Sequence, residues 1–253
     1  MKYLINIIII FIFFLSVSVM AENGLPRDAL WDSILKQHVS SDGWIDYRGL
    51  RKKSLNTLNK YIASMSLTRL KLLKTSEIKK AFWINAYNAI VIKKIINRGI
   101  PGKVPLKNFF KEKTYKIAGK QISLDEIEHS ILRIKYKDPR IHAALVCGAS
   151  TCPRLRNEVF NSETLDEQLN EEVINWLNSG KDLKGNRKNF LDKKKKTYFA
   201  SKIFSWYIVD FKSSNKGVLE FITRFVPEND RKFIERNNIK LRFLNYDWRV
   251  NKN

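Results

Sequence analysis

The chain has 253 residues, of which 44% are hydrophobic and 12% aromatic, and it carries a formal net charge of +22 at pH 7. This composition is typical of a folded globular protein and excludes a low-complexity or intrinsically disordered chain. The positive charge favours anionic partners, but no basic stripe is interleaved with aromatic residues as in single-strand binders. We therefore expect no nucleic-acid partner.

The N-terminus carries the features of a secretory signal. Lys2 precedes the apolar run 7–15 (IIIIFIFFL), and the small residues Val19 and Ala21 stand just before Glu22. The run is too short to cross a bilayer, which favours a cleaved signal peptide over an uncleaved membrane anchor. The sequence predicts a periplasmic or secreted, bacterial-type protein that is processed after Ala21 and has no transmembrane segment in its mature chain.

The predicted domain organisation follows from this cleavage. Residues 1–21 are the predicted signal peptide, and residues 22–253 form one predicted domain. The stretch 181–196 is a candidate linker, but the pieces on either side of it look too small to fold separately. In the predicted compartment, an anionic envelope component is the expected partner for the positive charge.

Hydrophobic periodicity and capping signals predict an α+β fold with a long central helix, a small, mostly buried sheet and flanking helices. The predicted helices are Asp28–Val39, Lys52–Met65, Thr75–Arg98, Ser123 to about Arg133, Thr164 to near Gly180, Lys202–Phe211, Val218–Phe225 and Asn229–Arg236. Gly43–Tyr47 is predicted to be an extended piece or a turn. The other predicted extended segments are a hairpin of Thr114–Ile117 and Gln121–Leu124, a buried central strand Ile141–Cys147 and a late strand Ile239–Leu244. Lys193–Lys196 is predicted to be a solvated basic loop.

Three polar residues fall on or beside apolar helix faces. Asn85 lies on the apolar stripe of the longest predicted helix, and Asn88 lies nearly one turn further on. Glu128 falls within the apolar stripe of the helix that the capping box Ser123–Glu126 opens. Each asparagine could brace a neighbouring backbone or line a cleft, and Glu128 could be a catalytic group or half of a buried ion pair with a nearby arginine.

The cysteines and two of the three histidines fall close together in the chain. They are His129, His142, Cys147 and Cys152. Any catalysis or metal binding that uses a thiol or an imidazole must therefore use these four residues or the distant His38. His142 interrupts an otherwise apolar run, as a buried structural histidine or a catalytic base would.

Five motifs in this order resemble the DUF547 family, a domain of unknown function, over about residues 81–211. They are Ala81–Ala89 (AFWINAYNA), Leu124–His129 (LDEIEH), Asp138–His142 (DPRIH), Cys147–Pro153 (CGASTCP) and Ile203–Phe211 (IFSWYIVDF). The preceding Gly43–Tyr47 (GWIDY) resembles the family's G-x-V-D-Y element. The resemblance brings no established activity, but it implies that the following residues belong to family motifs: Asn85, Asn88, Glu128, His129, His142, Cys147 and Cys152.

Three interpretations of the cysteine and histidine cluster stay open. The first is a disulfide between Cys147 and Cys152, which an exported chain with two cysteines favours. The second is a nucleophilic Cys147 with His142 or His129 as base and Glu128 or Asn85 as its orienting group. The third is zinc, whose ligand types are present but whose spacing fits no common zinc module, so we expect no metal and no cofactor.

Two functional hypotheses follow from these interpretations. The leading one is a cysteine-dependent acyl-transfer or hydrolytic enzyme that acts on an envelope component or an extracellular peptide, with Cys147 as the reactive thiol. The competing one is a non-catalytic envelope binding module in which Cys147 and Cys152 form a structural disulfide.

Overall fold

The computed structural model describes residues 24–252, so the predicted signal peptide and its cleavage site lie outside the described residues. The α-helices are α1 (Asp28–His38), α2 (Tyr47–Gly49), α3 (Leu55–Leu67), α4 (Ser76–Asn97), α5 (Arg133–Tyr136), α6 (Ile141–Ala144), α7 (Leu165–Asn178), α8 (Lys202–Trp206), α9 (Asn215–Thr223) and α10 (Glu228–Arg236). The π-helical turns are Leu50–Ser54 and Glu126–Leu132, and the 3₁₀ turns are Leu70–Leu72 and Ile208–Phe211. The strands are β1 (Tyr115–Ile117), β2 (Lys120–Ile122), β3 (Phe190–Asp192), β4 (Thr197–Ala200) and β5 (Lys240–Phe243). The predicted α+β class is confirmed.

The long helix α4 is the centre of the fold. Thr75 caps its first turn, since its side chain accepts a hydrogen bond from the Ile78 amide at 3.2 Å. Gly99, at φ +77°, follows its end, which suits glycine because it has no Cβ. Most of its residues are buried, including Asn85 and Asn88. The sequence therefore predicts this helix correctly at both ends.

The predicted hairpin and its following helix start are also present. Strands β1 and β2 pair in antiparallel register around Gly119. Ser123 and Glu126 form the reciprocal capping box, with the Glu126 amide donating to Ser123 Oγ at 3.1 Å and the Ser123 amide donating to Glu126 Oε2 at 2.9 Å. The helix that follows begins at Leu124, carries Glu128 in the π-helical turn Glu126–Leu132 and continues as α5.

The predicted central strand Ile141–Cys147 is wrong. Residues Ile141–Ala144 form the short helix α6, and the chain becomes extended only at Leu145. Asp138 promotes the turn, because its carboxylate accepts a hydrogen bond from the Arg140 amide at 3.0 Å. The whole run is buried except the half-buried Cys147, and for so short an apolar run the sequence pattern cannot separate helix from strand.

The three-stranded sheet lies instead near the C-terminus, where the sequence predicts only its last strand, as Ile239–Leu244. Strands β3 and β4 form an antiparallel hairpin, and Lys193–Lys196 forms its turn. Strand β5 pairs with β4 in parallel, so the order is β3-β4-β5. The candidate linker 181–196 therefore contains strand β3 and the turn that follows it. Both β3 and the predicted basic loop belong to one hairpin.

Buried apolar side chains form two clusters. The first surrounds α4 and includes α1, α3 and the chain up to α7. The second joins α7 to α8, α9, α10 and the three-stranded sheet. Tyr246, on the segment after β5, packs against both clusters.

Within residues 24–252, no helix combines the length and the apolar character that crossing a membrane requires.

Candidate functional site

A cleft of about 350 Å³ lies where α4, the Glu128 turn, α6 and α8 meet the segment after β5. Its polar lining comes mostly from the stretch 125–152, while aromatic side chains from α8 and from residues 246–248 form the opposite wall. The main lining side chains are Tyr87, Asp125, Glu128, His129, His142, Cys147, Cys152, Trp206, Tyr207, Tyr246 and Trp248. A concave, largely apolar site with a few converging polar groups is typical of a small-molecule or catalytic pocket.

An aspartate orients His142 in this cleft. The Asp210 carboxylate lies 2.7 Å from His142 Nε2 and also accepts two hydrogen bonds from Arg133, at 2.6 and 3.0 Å. Burial alone would raise the pKa of Asp210, but the hydrogen bonds from His142 and Arg133 hold it well below its usual range. Asp210 is therefore ionised and fixes the orientation of the imidazole ring.

Arg133 also fixes the tautomer of His129. Its Nη1 lies 2.7 Å from His129 Nδ1. A guanidinium can only donate, so His129 Nδ1 is the acceptor and the ring proton is on Nε2. The ring of Tyr207 stacks on His142 with centroids 4.2 Å apart, and the Arg133 guanidinium lies 4.9 Å from the Tyr207 centroid. The two histidines are thus held by one shared network.

Glu128 is a buried carboxylate that lines the cleft. Its Oε2 accepts a hydrogen bond from the Tyr87 hydroxyl at 3.1 Å. Burial raises the pKa of Tyr207, and the nearby charge of Glu128 raises it further. The arginines that follow Glu128 in the sequence have other carboxylate partners: Arg133 binds Asp210, Arg140 binds Asp138 and Arg154 binds Glu172. Of the two interpretations that the sequence left open for Glu128, the ion pair is not formed with any of these three arginines.

The two cysteines are free thiols 3.2 Å apart. Cys147 is half-buried, and its Sγ lies 3.1 Å from the Tyr246 hydroxyl. Cys152 is 2% exposed, and its Sγ accepts a hydrogen bond from the Cys147 amide at 2.9 Å. Burial raises the pKa of the Cys147 thiol well above its usual value. Burial also acts to raise the pKa of Cys152, but hydrogen bonds from Cys147 outweigh it, and the net shift is downward.

The two asparagines brace backbone rather than line the cleft. Asn85 bonds both the amide and the carbonyl of Phe160, at 3.1 and 2.8 Å. Asn88 accepts from the Val146 amide at 3.0 Å and donates to the Ala144 carbonyl at 2.9 Å. Because Val146 precedes Cys147, Asn88 holds the chain that positions the thiol. The structural interpretation of both residues, which the sequence left open, fits these contacts.

The C-terminal segment completes the site. The Asn251 amide donates to the Gly148 carbonyl at 2.9 Å, and the Ser150 amide donates to the Arg249 carbonyl at 2.7 Å. Gly148 has φ +81°, and a Cβ at this position would lie 2.4 Å from Ile95 Cδ1. These contacts bring Tyr246 and Trp248 to the Cys147–Cys152 loop across about 100 residues of sequence.

Several side chains of the cleft were not singled out from the sequence. Asp210 and Tyr207 lie in the quoted motif Ile203–Phe211, but an acidic residue in a mostly apolar run gives no indication of its partner. Tyr246 and Trp248 carried no signal beyond a local density of aromatic residues. Within residues 24–252, no group of three or more histidine, cysteine or acidic side chains is arranged to hold a metal ion.

Comparison with known proteins gives a family match. Residues 70–177 match the model of DUF547, a protein of unknown function. The match supports the family that the motifs indicated, and it covers α4, Glu128, both cleft histidines and both cysteines. Searches of curated proteins and of solved structures found no match.

The DUF547 match ends before two parts of the cleft. Asp210 and the aromatic residues Tyr246 and Trp248 lie beyond residue 177, yet they contact His142 and Cys147 of the matched segment. Part of the cleft lining therefore comes from residues outside the matched segment 70–177.

The ion pairs of Asp138, a residue within the matched segment, are expected to make an acid-sensitive contribution to stability. Asp138 is largely buried between Lys80 and Arg140. Burial would raise its pKa, but hydrogen bonds from Arg140 and Lys80 lower it from 3.8 to about 2. Since the folded pKa lies below the unfolded one, this stabilisation is present above about pH 4 and is lost as the pH falls towards 2.

Asp138→Asn is therefore expected to lower the free energy of unfolding by about 2 kcal/mol at neutral pH. The difference between variant and wild type should shrink steadily below about pH 4. This difference in the free energy of unfolding is measured by urea unfolding over this pH range, with circular dichroism as the signal. A difference that does not change with pH would contradict the assignment of the effect to the ionised Asp138.

The two thiols are expected to react unequally with limiting iodoacetamide. Cys147 should be labelled first because it is the more exposed, and its rate should rise steeply above neutral pH because burial raises its pKa. Tyr246→Phe should slow the labelling, since the Tyr246 hydroxyl stabilises the Cys147 thiolate. Peptide mapping by mass spectrometry measures both rates. Faster labelling of Cys152 would contradict this order.

Proposed function

We propose that the cleft is the active site of a cysteine-dependent acyl-transfer or hydrolytic enzyme. The observation that carries this proposal is that His142, oriented by Asp210 at 2.7 Å, lines the same cleft as the Cys147 thiol. A thiol, a base and a carboxylate that orients the base are the elements of nucleophilic acyl transfer. In this proposal Cys147 is the nucleophile, His142 the base and Asp210 the orienting group.

The raised pKa of Cys147 determines how the first step runs. The resting group is a neutral thiol, so it must lose its proton as it attacks, and His142 is the acceptor in this scheme. Cys147 Sγ forms a bond to the carbonyl carbon of an ester or amide. The proton held by His142 then passes to the departing oxygen or nitrogen as its bond to that carbon breaks, which leaves a thioester on Cys147.

Water or a second substrate completes the cycle. Its oxygen or nitrogen attacks the thioester carbon, His142 removes its proton, and that proton returns to the Cys147 sulfur as the carbon–sulfur bond breaks. Glu128 lies in the same cleft and is the candidate for binding a polar group of the substrate. Cys152 supports the loop, because its sulfur accepts the Cys147 amide.

The aromatic wall supports a substrate with a flat apolar part. Trp206, Tyr246 and Trp248 have ring centroids within 4.6 to 5.7 Å of one another, and Trp206 is 45% exposed. Such rings supply contact area at a low cost in conformational entropy. We propose an acyl compound of the envelope or an extracellular peptide as the substrate, with the positive charge of the protein favouring anionic material.

The aromatic wall also supports a second candidate, a non-catalytic envelope binding module. In that case the rings bind a ligand, and the two cysteines form a structural disulfide in an oxidising compartment. The cysteines are free thiols 3.2 Å apart in the structure, and an S–S bond is about 2.05 Å long, so oxidation would have to draw the sulfurs closer together.

The experiment that separates these candidates uses p-nitrophenyl acetate as an acyl donor to the reduced protein. The enzyme predicts a burst of about one equivalent of p-nitrophenolate, with an acetyl group on Cys147 in the peptide map. Cys152→Ser is the matched control, since it removes a thiol but leaves the proposed nucleophile. Acetylation should be absent in Cys147→Ser and present in Cys152→Ser. Absence of a burst in the reduced wild type would favour the binding module.

The exported protein is expected to begin at or near Glu22. The short apolar run 7–15 and the small residues before Glu22 are the reason for this expectation. Intact-mass measurement of the protein isolated from the periplasm or the medium checks it. A mass that includes residues 1–21 would contradict cleavage and support an uncleaved anchor.

A further inference from the structure

A second concave surface, which shares no lining residue with the cleft, lies between strand β5 and helices α9 and α10. Its volume is about 1190 Å³, against about 350 Å³ for the cleft. We propose that this groove binds an extended acidic segment of a partner protein, which adds as a strand to the open edge of β5. This inference does not depend on the activity proposed for the cleft.

The backbone of β5 provides the first argument. The strand is at the edge of the sheet, since the order is β3-β4-β5. The amides of Lys240 and Leu244 donate to the β4 side of the sheet, to the carbonyls of Lys196 and Ala200 at 2.9 and 2.8 Å. Because backbone groups alternate along a strand, those of Leu241 and Phe243 point to the open edge. An added strand would bond to these groups.

The side chains of the groove provide the second argument. Its floor is apolar, with Leu219, Ile234, Ile239 and Leu241 buried or half-buried. Its rim carries exposed cations, which are Lys216, Arg224, Arg231, Lys240 and Arg242. The lining also contains two acidic side chains, Glu220 and Glu235. Glu220 pairs with Lys212 at 2.6 Å. An apolar floor with a cationic rim fits a strand that alternates apolar and acidic side chains.

The placement of these cations also argues against a second copy of this chain as the occupant. Lys240 and Arg242 share one face of β5, because they are two residues apart in a strand. If β5 paired with β5 of another molecule, these cations would face like charges across the ladder, which destabilises the pair. Acidic residues at the facing positions would instead form cross-strand ion pairs. The five rim cations come from β5, from α9 and the residue after it, and from α10, so they suit an extended anion rather than a single point charge.

Fluorescence anisotropy with a labelled peptide of about eight alternating glutamate and valine residues tests the proposal, since this length covers β5 with a margin on each side. We expect this peptide to bind and a matched lysine–valine peptide not to bind. Two further versions carry N-methyl groups on the glutamates or on the valines. Because alternate amides of a strand face opposite edges, one version should bind at least about tenfold more weakly and the other should be unaffected.

Charge reversal on the protein gives the second measurement. Arg242→Glu should weaken peptide binding by about tenfold or more, whereas Lys184→Glu, a charge reversal at an exposed site outside the groove, should have little effect. Circular dichroism confirms that both variants are folded. Equal binding of both N-methylated peptides and the parent would overturn strand addition. No binding of the glutamate–valine peptide at low salt would overturn the proposal altogether.

Discussion

His142→Asn is expected to slow acetylation of Cys147 by p-nitrophenyl acetate by about 10²–10⁴-fold, the range that a general base contributes. The reason is that Cys147 rests as a neutral thiol, since burial raises its pKa, so attack needs an acceptor for its proton. Stopped-flow measurement of p-nitrophenolate release in the reduced protein gives the rate. Asp210→Asn should have a smaller effect in the same direction, because His142 remains but loses its orienting carboxylate.

A structural role of His142 would give a different result. His142 is buried and stacks on Tyr207, so its loss could slow the reaction merely by disturbing the fold. The pH profile distinguishes these cases. With His142 as base, the residual rate of His142→Asn should rise with pH as the Cys147 thiolate forms, and it should approach the wild-type rate at high pH. A variant with a large loss of melting temperature and an unchanged pH profile would count against the catalytic role.

Glu128→Gln extends this test to the second acidic group of the cleft. Gln keeps the size of the side chain and can still accept from the Tyr87 hydroxyl, which now bonds Glu128 Oε2 at 3.1 Å. Little loss of melting temperature is therefore expected. If Glu128 binds a polar group of the substrate, the change should raise KM more than it lowers kcat, because that contact exists before the reaction begins.

The sequence predicted those parts of the fold that local rules determine. Helix α4 has a capping threonine, buried side chains along most of its length and a glycine after its end, so both of its ends are predictable. The hairpin around Gly119 and the Ser123–Glu126 capping box depend on neighbours within about four residues. Glu128 stands out because it is a carboxylate on an apolar face, and that contrast is visible without any knowledge of the fold.

The remaining features depend on contacts between distant parts of the chain. Asp210 lies 68 residues from His142, and Tyr246 lies 99 residues from Cys147, so no local pattern indicates either contact. The run Ile141–Ala144 is buried on all faces, which removes the periodicity that separates helix from strand. The pKa order of the thiols likewise depends on which sulfur accepts the Cys147 amide, and spacing alone does not determine this.

Glu172→Gln is expected to lower the free energy of unfolding by about 3–5 kcal/mol, the cost of breaking a buried ion pair by removing one partner. Glu172 lies on α7 and is 1% exposed. It accepts two hydrogen bonds from Arg154, both at 2.9 Å, and one from Arg156 at 3.0 Å. Arg154 also donates to the Ser41 carbonyl at 2.8 Å, so this cluster joins α7 to the segment that follows α1.

Glu171→Gln is the matched control, because it makes the same change at the neighbouring residue. Glu171 also binds Arg156, at 2.7 Å, but its side chain is 57% exposed. Water screens such a pair, so the expected loss is about 0–1 kcal/mol. Urea unfolding of both variants at neutral pH measures the two losses. Equal losses of unfolding free energy in the two variants would show that the burial of Glu172 does not increase the cost of breaking its ion pairs.

The Glu172 variant also controls for stability in the test of His142. Glu172 is not among the residues that line the cleft, so its substitution should destabilise the protein without changing the chemistry of Cys147. Under conditions in which Glu172→Gln is still folded, its rate of acetylation should match that of the wild type, while that of His142→Asn should not. If both variants react equally slowly, the loss in His142→Asn reflects the fold, and His142 is not the base.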